Sequence, residues 1–331
     1  MSNIDILTIG NAIVDVIAAT DDTFLHEQAI IKGAMNLIDE ARAEHLFSYM
    51  GQAKTISGGS AANTAVGIAS LGLCAAYIGK VKQDAVGHIF AHDLRKTGVY
   101  YDVSPALTGP ASARSFIFVT PDGERSMNTY LGACQNLEPE DVEHALVERS
   151  AITYLEGYLW DKPAAKQAFL KASQIAHAAG RRIAITLSDS FCVERFRDEF
   201  LHLMRSKAVD IVFANESELT SLYQTPNFDE ALHQIGQEGV LAIVTRSELG
   251  SVVMEHGQHV AVPAFPIQQL VDSTGAGDLF AAGFLAGLVR GEDHVFSAKL
   301  GSLAAAEIIQ HIGARPTTNL QALAHQHGLK V

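Results

Sequence analysis

Short apolar runs of strand length recur along the chain, separated by stretches with helical periodicity. The clearest runs cover residues 4–10, 75–81, 151–157, 182–188, 210–216 and 241–247. Between two of them, residues 164–180 place apolar side chains three and four positions apart and end in a glycine, which is typical of an amphipathic helix. Strands that alternate with helices pair in parallel and must be covered on both faces. The sequence therefore predicts an α/β fold with a mostly parallel sheet between layers of helices.

One region departs from this alternation. Residues 115–131, SFIFVTPDGERSMNTYL, have two strand-like halves around the tripeptide PDG, which is a hairpin signal. Together with strand-like pieces earlier in the chain, this hairpin can form a small sheet apart from the main one. We expect that sheet to be a lid formed by excursions at about 12–39 and 98–131. No repeat or long linker divides the chain, so residues 1–331 are predicted to form a single domain.

The composition limits the partners of the chain. Hydrophobic residues make up 48% of the 331, and 37 acidic residues outnumber 24 basic ones, which gives a formal net charge of −13. This charge disfavours binding to nucleic acid or to anionic membranes, so we expect small-molecule partners. Cys74, Cys134 and Cys192 lack metal-binding or disulfide spacing, and no signal-like apolar segment opens the chain. We expect a cytoplasmic protein, either a monomer or an oligomer.

Near the C-terminus, the stretch DSTGAGDLFAAGFLAGLVRG places small residues before an apolar run of helical length. Gly275, Ala276 and Gly277 allow close approach of the backbone, and a buried helix is predicted over Leu279–Val289. The free N–H groups and positive dipole of a helix N-terminus favour an anion such as phosphate. Asp278 beside such a site can take a proton from the group that attacks the phosphate. The alternative is a glycine-rich turn whose aspartate stabilises the helix dipole.

Two polar residues follow the first predicted strand. In the stretch GNAIVDVIA, Asn11 and Asp15 lie beyond the carboxyl end of residues 4–10. Ligands of open α/β sheets bind at that end of the strands, so we expect both residues at the substrate. The carboxylate of Asp15 offers two acceptor oxygens to adjacent sugar hydroxyls. The alternative is an aspartate that stabilises a turn or caps a helix.

A second glycine-rich stretch, ISGGSAANTAVGIASLG, covers residues 56–72. Ser60 fits an N-cap for the alanine-rich helix that follows, and the backbone at Gly59 together with the Asn63 amide can bind hydroxyl groups. The stretch lacks the GK[ST] ending of a phosphate-binding loop and the GxGxxG spacing of a dinucleotide-binding fold. The alternative is a tight turn into a packed helix.

Two further polar groups follow later strands. In ANESELTSLY, Asn215 and Glu218 come directly after an apolar run, where a carboxylate can hold magnesium through water. The alternative is a capped helix start with acids in its first turn. In VTRSELGSVV, Thr245 and Arg246 follow another strand and can meet nucleotide phosphates, and Gly250 opens a hairpin. The alternative there is a solvent-facing loop.

Taken together, these stretches resemble a known family, the ribokinase-like (PfkB) carbohydrate and nucleoside kinases. SGGSAANTAVGIASLG is similar to the N-terminal GG motif of that family, and DSTGAGDLFAAGFLAGL is similar to its C-terminal motif. The asparagine-to-glutamate spacing of NESE also matches, and the likeness covers roughly residues 4–315. The resemblance implies a three-layer α/β/α core, a small β-sheet lid, and transfer of the ATP γ-phosphate to a sugar hydroxymethyl group.

The resemblance also implies roles for individual residues. Asp278 would be the base, and the backbone of Gly275, Ala276 and Gly277 would form the anion hole. The residues implied for binding of sugar hydroxyls are Asp15, Gly59 and Asn63. Those implied for ATP and its Mg²⁺ are Asn215, Glu218, Thr245 and Gly250. Asp272 stands where some relatives bind a monovalent cation such as K⁺.

Within the family, GNAIVDVIA and GERSMNTYLGA are most similar to adenosine-kinase-like members. The likeness implies that Met127 and Thr129 line a nucleobase pocket and that Arg125 reaches toward the transferred phosphate. The leading hypothesis is an ATP- and Mg²⁺-dependent kinase that phosphorylates the 5′-hydroxyl of a nucleoside, adenosine first. Two alternatives stay open: a kinase of ribose, fructose or a related sugar, and a non-catalytic protein of the same fold that senses a sugar or nucleotide.

Overall fold

The computed structural model describes residues 4–51 and 53–331. In these ranges the strands are β1 Ile4–Ile9, β2 Ile13–Ala19, β3 Met35–Leu37, β4 Lys54–Gly58, β5 Ala75–Ile78, β6 Ala113–Val119, β7 Arg125–Tyr130, β8 Ser150–Glu156, β9 Arg182–Thr186, β10 Ile211–Asn215, β11 Leu241–Thr245, β12 Ser251–Glu255 and β13 Gln258–Val262. The α-helices are α1 Asp22–Glu27, α2 Glu40–Phe47, α3 Ser60–Ser70, α4 Ala85–Lys96, α5 His144–Glu148, α6 Pro163–Ala178, α7 Ser190–Arg205, α8 Glu216–Tyr223, α9 Phe228–Ile235, α10 Ala276–Val289, α11 His294–Ile308 and α12 Leu320–Gln326. Short 3₁₀ helices lie at Gly132–Asn136, Pro139–Asp141, Gly157–Asp161 and Ser247–Leu249.

The larger sheet has the strand order β13-β12-β11-β10-β9-β8-β1-β5. Every neighbouring pair from β5 to β11 is parallel, and β12 and β13 extend the sheet as antiparallel strands. The parallel strands coincide with the six apolar runs predicted from the sequence. The predicted mostly parallel sheet is therefore confirmed, and the carboxyl ends of its parallel strands share one edge.

Side chains of the central strands are buried on both faces of this sheet. In β10, Ile211 and Phe213 pack into a core shared with α3 and α10, whereas Val212 and Ala214 pack into a second core with α6, α7, α8 and α9. Period-two alternation sends neighbouring residues to opposite faces, so a strand that is apolar throughout needs a helical layer on each side. This arrangement confirms the predicted three-layer α/β/α fold.

A smaller sheet with the order β3-β7-β6-β2-β4 stands apart from the larger one. The predicted hairpin is present as the antiparallel pair β6 and β7, whose turn contains Gly123. The strand β4, Lys54–Gly58, lies outside both predicted excursions and pairs antiparallel with β2. Because β4 ends at Gly58 and α3 begins at Ser60, one edge of the small sheet leads directly into the first helix of the core.

After Asp278 in its first turn, helix α10 is apolar on every side, and it lies between α3 and α11. Small residues make this packing close: a Cβ at Gly67 would lie 2.7 Å from the Ala282 methyl, and one at Gly283 would lie 2.6 Å from the Cα of Gly301. A helix that is hydrophobic all round is a buried helix. Within the described part of the chain, no helix combines the length and apolar character that a membrane crossing requires.

Candidate active site

A cavity of about 1410 Å³ opens at the carboxyl edge of the parallel strands. The cavity has a second-sheet end, beside the smaller sheet, and a hairpin end, beside the antiparallel pair β11 and β12. The second-sheet end is bordered by Asn11, Asp15, Gly59, Asn63, Met127 and Thr129. The hairpin end is bordered by Asn215, Glu218, Thr245 and Gly250. The residues Gly275, Ala276, Gly277 and Asp278 lie in the same cavity, so the fold brings together the stretches singled out from the sequence.

The start of α10 supplies backbone donors to this cavity. The helix begins at Ala276, three residues before the apolar run used to predict it, and Gly275 is its N-cap with φ +83°. A Cβ at Gly275 would lie 2.9 Å from the Ala314 methyl, so both conformation and space favour glycine. The Ala276 N–H donates to the Ser273 carbonyl at 3.2 Å. In the described residues, the N–H groups of Gly275, Gly277 and Asp278 meet no acceptor, so they are open donors of this loop.

Both carboxylate oxygens of Asp278 accept hydrogen bonds from side chains of helix α3. The Ser60 hydroxyl donates to its Oδ1 at 2.6 Å, and the Asn63 amide donates to its Oδ2 at 2.9 Å. Burial raises the pKa of the Asp278 carboxyl, and the two hydrogen bonds together with the Arg315 charge oppose that rise. Ser60 is therefore not the predicted N-cap of α3, a position occupied by Gly59. The Asn63 amide group donates to the carboxylate rather than pointing freely into the cavity.

Asp15 lies at the second-sheet end against the glycine pair. A Cβ at Gly58 would lie 2.5 Å from an Asp15 oxygen, and Gly59, with φ +92°, packs on the Asn11 carbonyl. Burial raises the pKa of Asp15 to about 6, and the charge of Asp278 adds to the rise while the charges of Arg125 and Arg315 oppose it. The two carboxylates thus influence each other inside one cavity.

Glu156 is a site residue that the sequence analysis missed. It ends β8, is 1% exposed and borders the cavity. Its carboxylate accepts hydrogen bonds from the Asn11 amide at 2.8 Å, the Asn11 N–H at 3.3 Å and the Ala61 N–H at 2.9 Å. Burial raises its pKa to about 7. The only available signal was its position at the carboxyl end of an apolar run, and the Asn11 amide is held by it.

Asn215 and Glu218 form a reciprocal cap at the start of α8. The N–H and amide of Asn215 donate to the two Glu218 oxygens at 3.0 and 2.6 Å, and the Glu218 N–H donates back at 2.8 Å. Glu218 is 5% exposed, and burial raises its pKa to about 7. The capped helix start considered from the sequence is present, and both residues still border the cavity. Nearby, the Arg246 Nε donates to Glu216 at 2.8 Å, outside the cavity lining.

Arg125 and Asp272 lie behind the cavity rather than in its lining. Arg125, on β7 of the smaller sheet, forms an ion pair with Asp272 and donates to the Thr274 hydroxyl at 3.1 Å. Asp272 also accepts hydrogen bonds from the N–H groups of Thr274 and Gly313 at 3.0 and 2.9 Å. Burial acts to raise the pKa of Asp272, but these hydrogen bonds and the Arg125 charge outweigh burial and lower it. The pair connects the smaller sheet to the loop before α10. In the described chain, no three His, Cys, Asp or Glu side chains converge as a metal cluster.

The family of the chain follows from a match over nearly its whole length. Residues 4–320 match the model of the pfkB family carbohydrate kinases. The protein therefore belongs to the PfkB family of carbohydrate kinases, which confirms the resemblance carried by the two glycine-rich motifs. Membership implies that ATP is the phosphate donor.

Similar proteins of known structure share the whole fold. An adenosine kinase from Sinorhizobium meliloti is 57% identical, with a TM-score of 0.92 over 98% of this chain and 100% of that one. A probable sugar kinase from Rhizobium etli is 55% identical, with a TM-score of 0.93 over 99% of this chain and 100% of that one. Among curated relatives, adenosine kinase of Saccharomyces cerevisiae is 28% identical over 93% of this chain and 95% of its own length.

Proposed function

We propose that the protein is a cytoplasmic adenosine kinase that transfers the γ-phosphate of ATP to the 5′-hydroxyl of adenosine. The observation that carries this function is the placement of Asp278, hydrogen-bonded by Ser60 and Asn63, beside the open N–H groups at the start of α10. The 57% identity to an adenosine kinase over nearly the full chain supports the choice of acceptor. A binding protein without turnover would have no use for a base at this position.

The reaction follows from the charges at this helix start. Asp278 accepts the proton of the 5′-hydroxyl, whose oxygen attacks the γ-phosphorus while the bond to the β-phosphate oxygen breaks and ADP leaves. The free N–H groups of Gly277 and Asp278 donate to the phosphate oxygens as they gain charge, and the α10 dipole adds positive potential. Asp15 holds ribose hydroxyls so that the reacting oxygen lies next to the base.

The second-sheet end of the cavity has walls suited to a flat base. Two large apolar side chains of β3 in the smaller sheet border the cavity and are exposed in the described structure, Met35 by 52% and Leu37 by 58%. Met127 and Thr129 border the same region. A free sugar has no apolar surface to cover such walls, whereas a purine ring does. This contrast favours a nucleoside over ribose or fructose.

At the hairpin end, we assign Asn215, Thr245 and Gly250 to ATP. Both Glu218 oxygens accept hydrogen bonds from Asn215, and each keeps a further lone pair, so the carboxylate fits Mg²⁺ held through water rather than directly. When bound, Mg²⁺ would neutralise charge on the ATP phosphates. Asp272 is different, because its carboxylate already pairs with Arg125. A K⁺ site built on that side chain does not fit this arrangement, and no step proposed above uses K⁺.

We further propose that the chain works as one kinase domain whose smaller sheet is a lid over the second-sheet end. The strands that carry Asp15, Met127 and Thr129 belong to that sheet, so its position controls access of water to the acceptor. Hydrogen exchange across 12–39 and 98–131 should slow when acceptor binds. Unchanged exchange despite demonstrated binding would count against a closing lid.

The assignment is tested by kcat/KM for adenosine, inosine, guanosine, ribose and fructose at one ATP concentration. We expect adenosine to exceed both sugars by at least about tenfold, since only a nucleoside contacts the apolar walls. A sugar that exceeds every nucleoside tenfold would replace adenosine as acceptor and leave the kinase assignment standing. Binding of adenosine and ATP without turnover would instead favour the sensor.

A further inference from the structure

The segment after α11 places a guanidinium behind the cavity. The Arg315 Nε donates to the Ser57 carbonyl at 3.1 Å, and its Nη2 donates to the Ser57 hydroxyl at 3.0 Å. Its Nη1 is closed off from solvent and meets no acceptor in the described residues. An unpaired buried donor is unfavourable, so two hydrogen bonds to one serine do not by themselves account for an arginine here.

Ser57, the serine that Arg315 contacts, lies in β4, just before the turn that joins the smaller sheet to helix α3. The N–H and hydroxyl of Ser57 also donate to the Asp93 carboxylate at 3.0 and 2.6 Å. Ser57 is followed by Gly58, which packs on the carboxylate at the second-sheet end, and by Gly59, which caps α3. Arg315, from the segment between α11 and α12, and Asp93, from α4, therefore both fix the turn that leads from the smaller sheet into α3.

The charges around the guanidinium point to a second role. The titratable groups that face it from the surrounding elements are Asp15 on β2, Tyr77 on β5, Asp93 on α4 and Asp278 on α10. Arg315 lowers the pKa of both Asp15 and Asp278, whereas burial raises both. Arg125 on β7 also acts on Asp15, but it is paired with another carboxylate. Burial lowers the pKa of Arg315 to about 10, which leaves it charged at neutral pH.

We propose that Arg315 is a positioning residue of the reaction: it fixes the Ser57–Gly59 turn and supplies the positive charge that allows Asp15 and Asp278 to be ionised together in one cavity. The proposal rests on the proposed function, in which one carboxylate binds hydroxyls and the other accepts a proton. Both tasks need the anionic form. Without a nearby cation, two buried carboxylates in one cavity favour a shared proton near neutral pH.

The first test is the pH profile of kcat/KM for Arg315→Gln and Arg315→Lys. Loss of the charge should move the midpoint of the acid limb upward by about one pH unit, which is the usual size of a single neighbouring charge effect. The lysine variant keeps the charge but loses the paired hydrogen bonds to the Ser57 carbonyl and hydroxyl, so it should retain the wild-type midpoint with a lower kcat. A glutamine variant with the wild-type midpoint, or a lysine variant shifted as far as glutamine, would overturn the proposal.

The second test needs no turnover. A carboxyl whose pKa is raised on folding contributes stability that is present below its unfolded pKa and lost as pH rises through the folded value. Removal of Arg315 raises these folded values further, so Arg315→Gln should lower the urea midpoint more at pH 8 than at pH 5. Ser57→Ala removes the hydroxyl that accepts from Arg315 but changes no charge, so it should lower the urea midpoint equally at both pH values.

Equal losses for Arg315→Gln at the two pH values would show that the arginine acts only on the turn, and would overturn the electrostatic part of the proposal. Addition of Asp15→Asn to Arg315→Gln should reduce the pH dependence, because one of the two carboxylates is then absent. This outcome does not depend on the acceptor. Failure of wild-type protein to phosphorylate adenosine would refute the proposed function separately.

Discussion

The two ends of the cavity are built differently. At the second-sheet end, polar side chains bind each other in buried networks: Ser60 and Asn63 hold Asp278, and Asn11 with the Ala61 N–H holds Glu156. At the hairpin end, the polar contacts are those of one cap, formed by Asn215 and Glu218 within a single helix start. Networks that join separate elements fix the catalytic geometry before ligand arrives, whereas a cap within one helix start leaves the hairpin end with fewer polar contacts fixed in advance.

The strongest way to break this contrast is Asp278→Asn. The amide keeps the size of the side chain but cannot take the proton, so kcat should fall about 10²–10⁴-fold, the range for general base catalysis. Binding of ATP, measured by calorimetry, should persist because the hairpin end is untouched. Asp293→Asn is the matched control, since Asp293 caps α11 away from the cavity lining. Near-normal turnover by folded Asp278→Asn protein would refute the mechanism.

Glu156→Gln tests the second network. The glutamine has one acceptor oxygen for three donors and adds an NH₂ group, so the free energy of unfolding should fall by about 1–3 kcal/mol. Because burial raises the Glu156 pKa from 4.5 to about 7, wild-type stability from this group is full below pH 4.5 and lost as pH rises through 7. The deficit of the variant, measured by urea unfolding, should therefore shrink between pH 5 and pH 8.

Exposed Glu194 provides the control for that substitution, because Glu194→Gln removes a solvated carboxylate. Its unfolding free energy should change little at either pH. A Glu156→Gln deficit that is constant with pH would contradict the protonated, buried carboxyl at low pH and would reduce Glu156 to a packing role.

The sequence located the cavity well and its internal contacts poorly. Apolar runs and their polar ends predicted the parallel strands and placed Asp278, Asn215 and Thr245 at one edge, because strand periodicity and motif chemistry are local properties. The contacts that define the second-sheet end are not local. Ser60 meets Asp278 across 218 positions, and Asn11 meets Glu156 across 145. No single stretch contains both partners, so neither pairing nor the contribution of β4 could be predicted.

Met127→Glu tests whether the walls of the second-sheet end bind the acceptor and not ATP. A carboxylate in place of a polarizable apolar side chain should raise KM for adenosine by about tenfold, because a desolvated charge would face the base. KM for ATP should stay within about twofold, since the hairpin end keeps its lining. Ile31→Glu is the control, an exposed apolar residue outside the cavity lining. Equal increases in both KM values would show that the two ends are not separate subsites.

The smallest expected effect lies where the two ends meet, at Gly277. A Cβ there would meet no protein atom within 4 Å and would project into the cavity, so Gly277→Ala should raise the free energy of unfolding by about 0.5–1 kcal/mol through helix propensity. The same methyl would crowd the open N–H groups, so kcat should fall about three- to tenfold with both KM values nearly unchanged. Gly275→Ala is the paired comparison: its φ of +83° and the 2.9 Å approach to Ala314 should lower stability instead. If Gly277→Ala loses stability as Gly275→Ala does, the fold requires glycine at position 277. If Gly277→Ala gains stability and loses turnover, the glycine is needed to leave room for the phosphate.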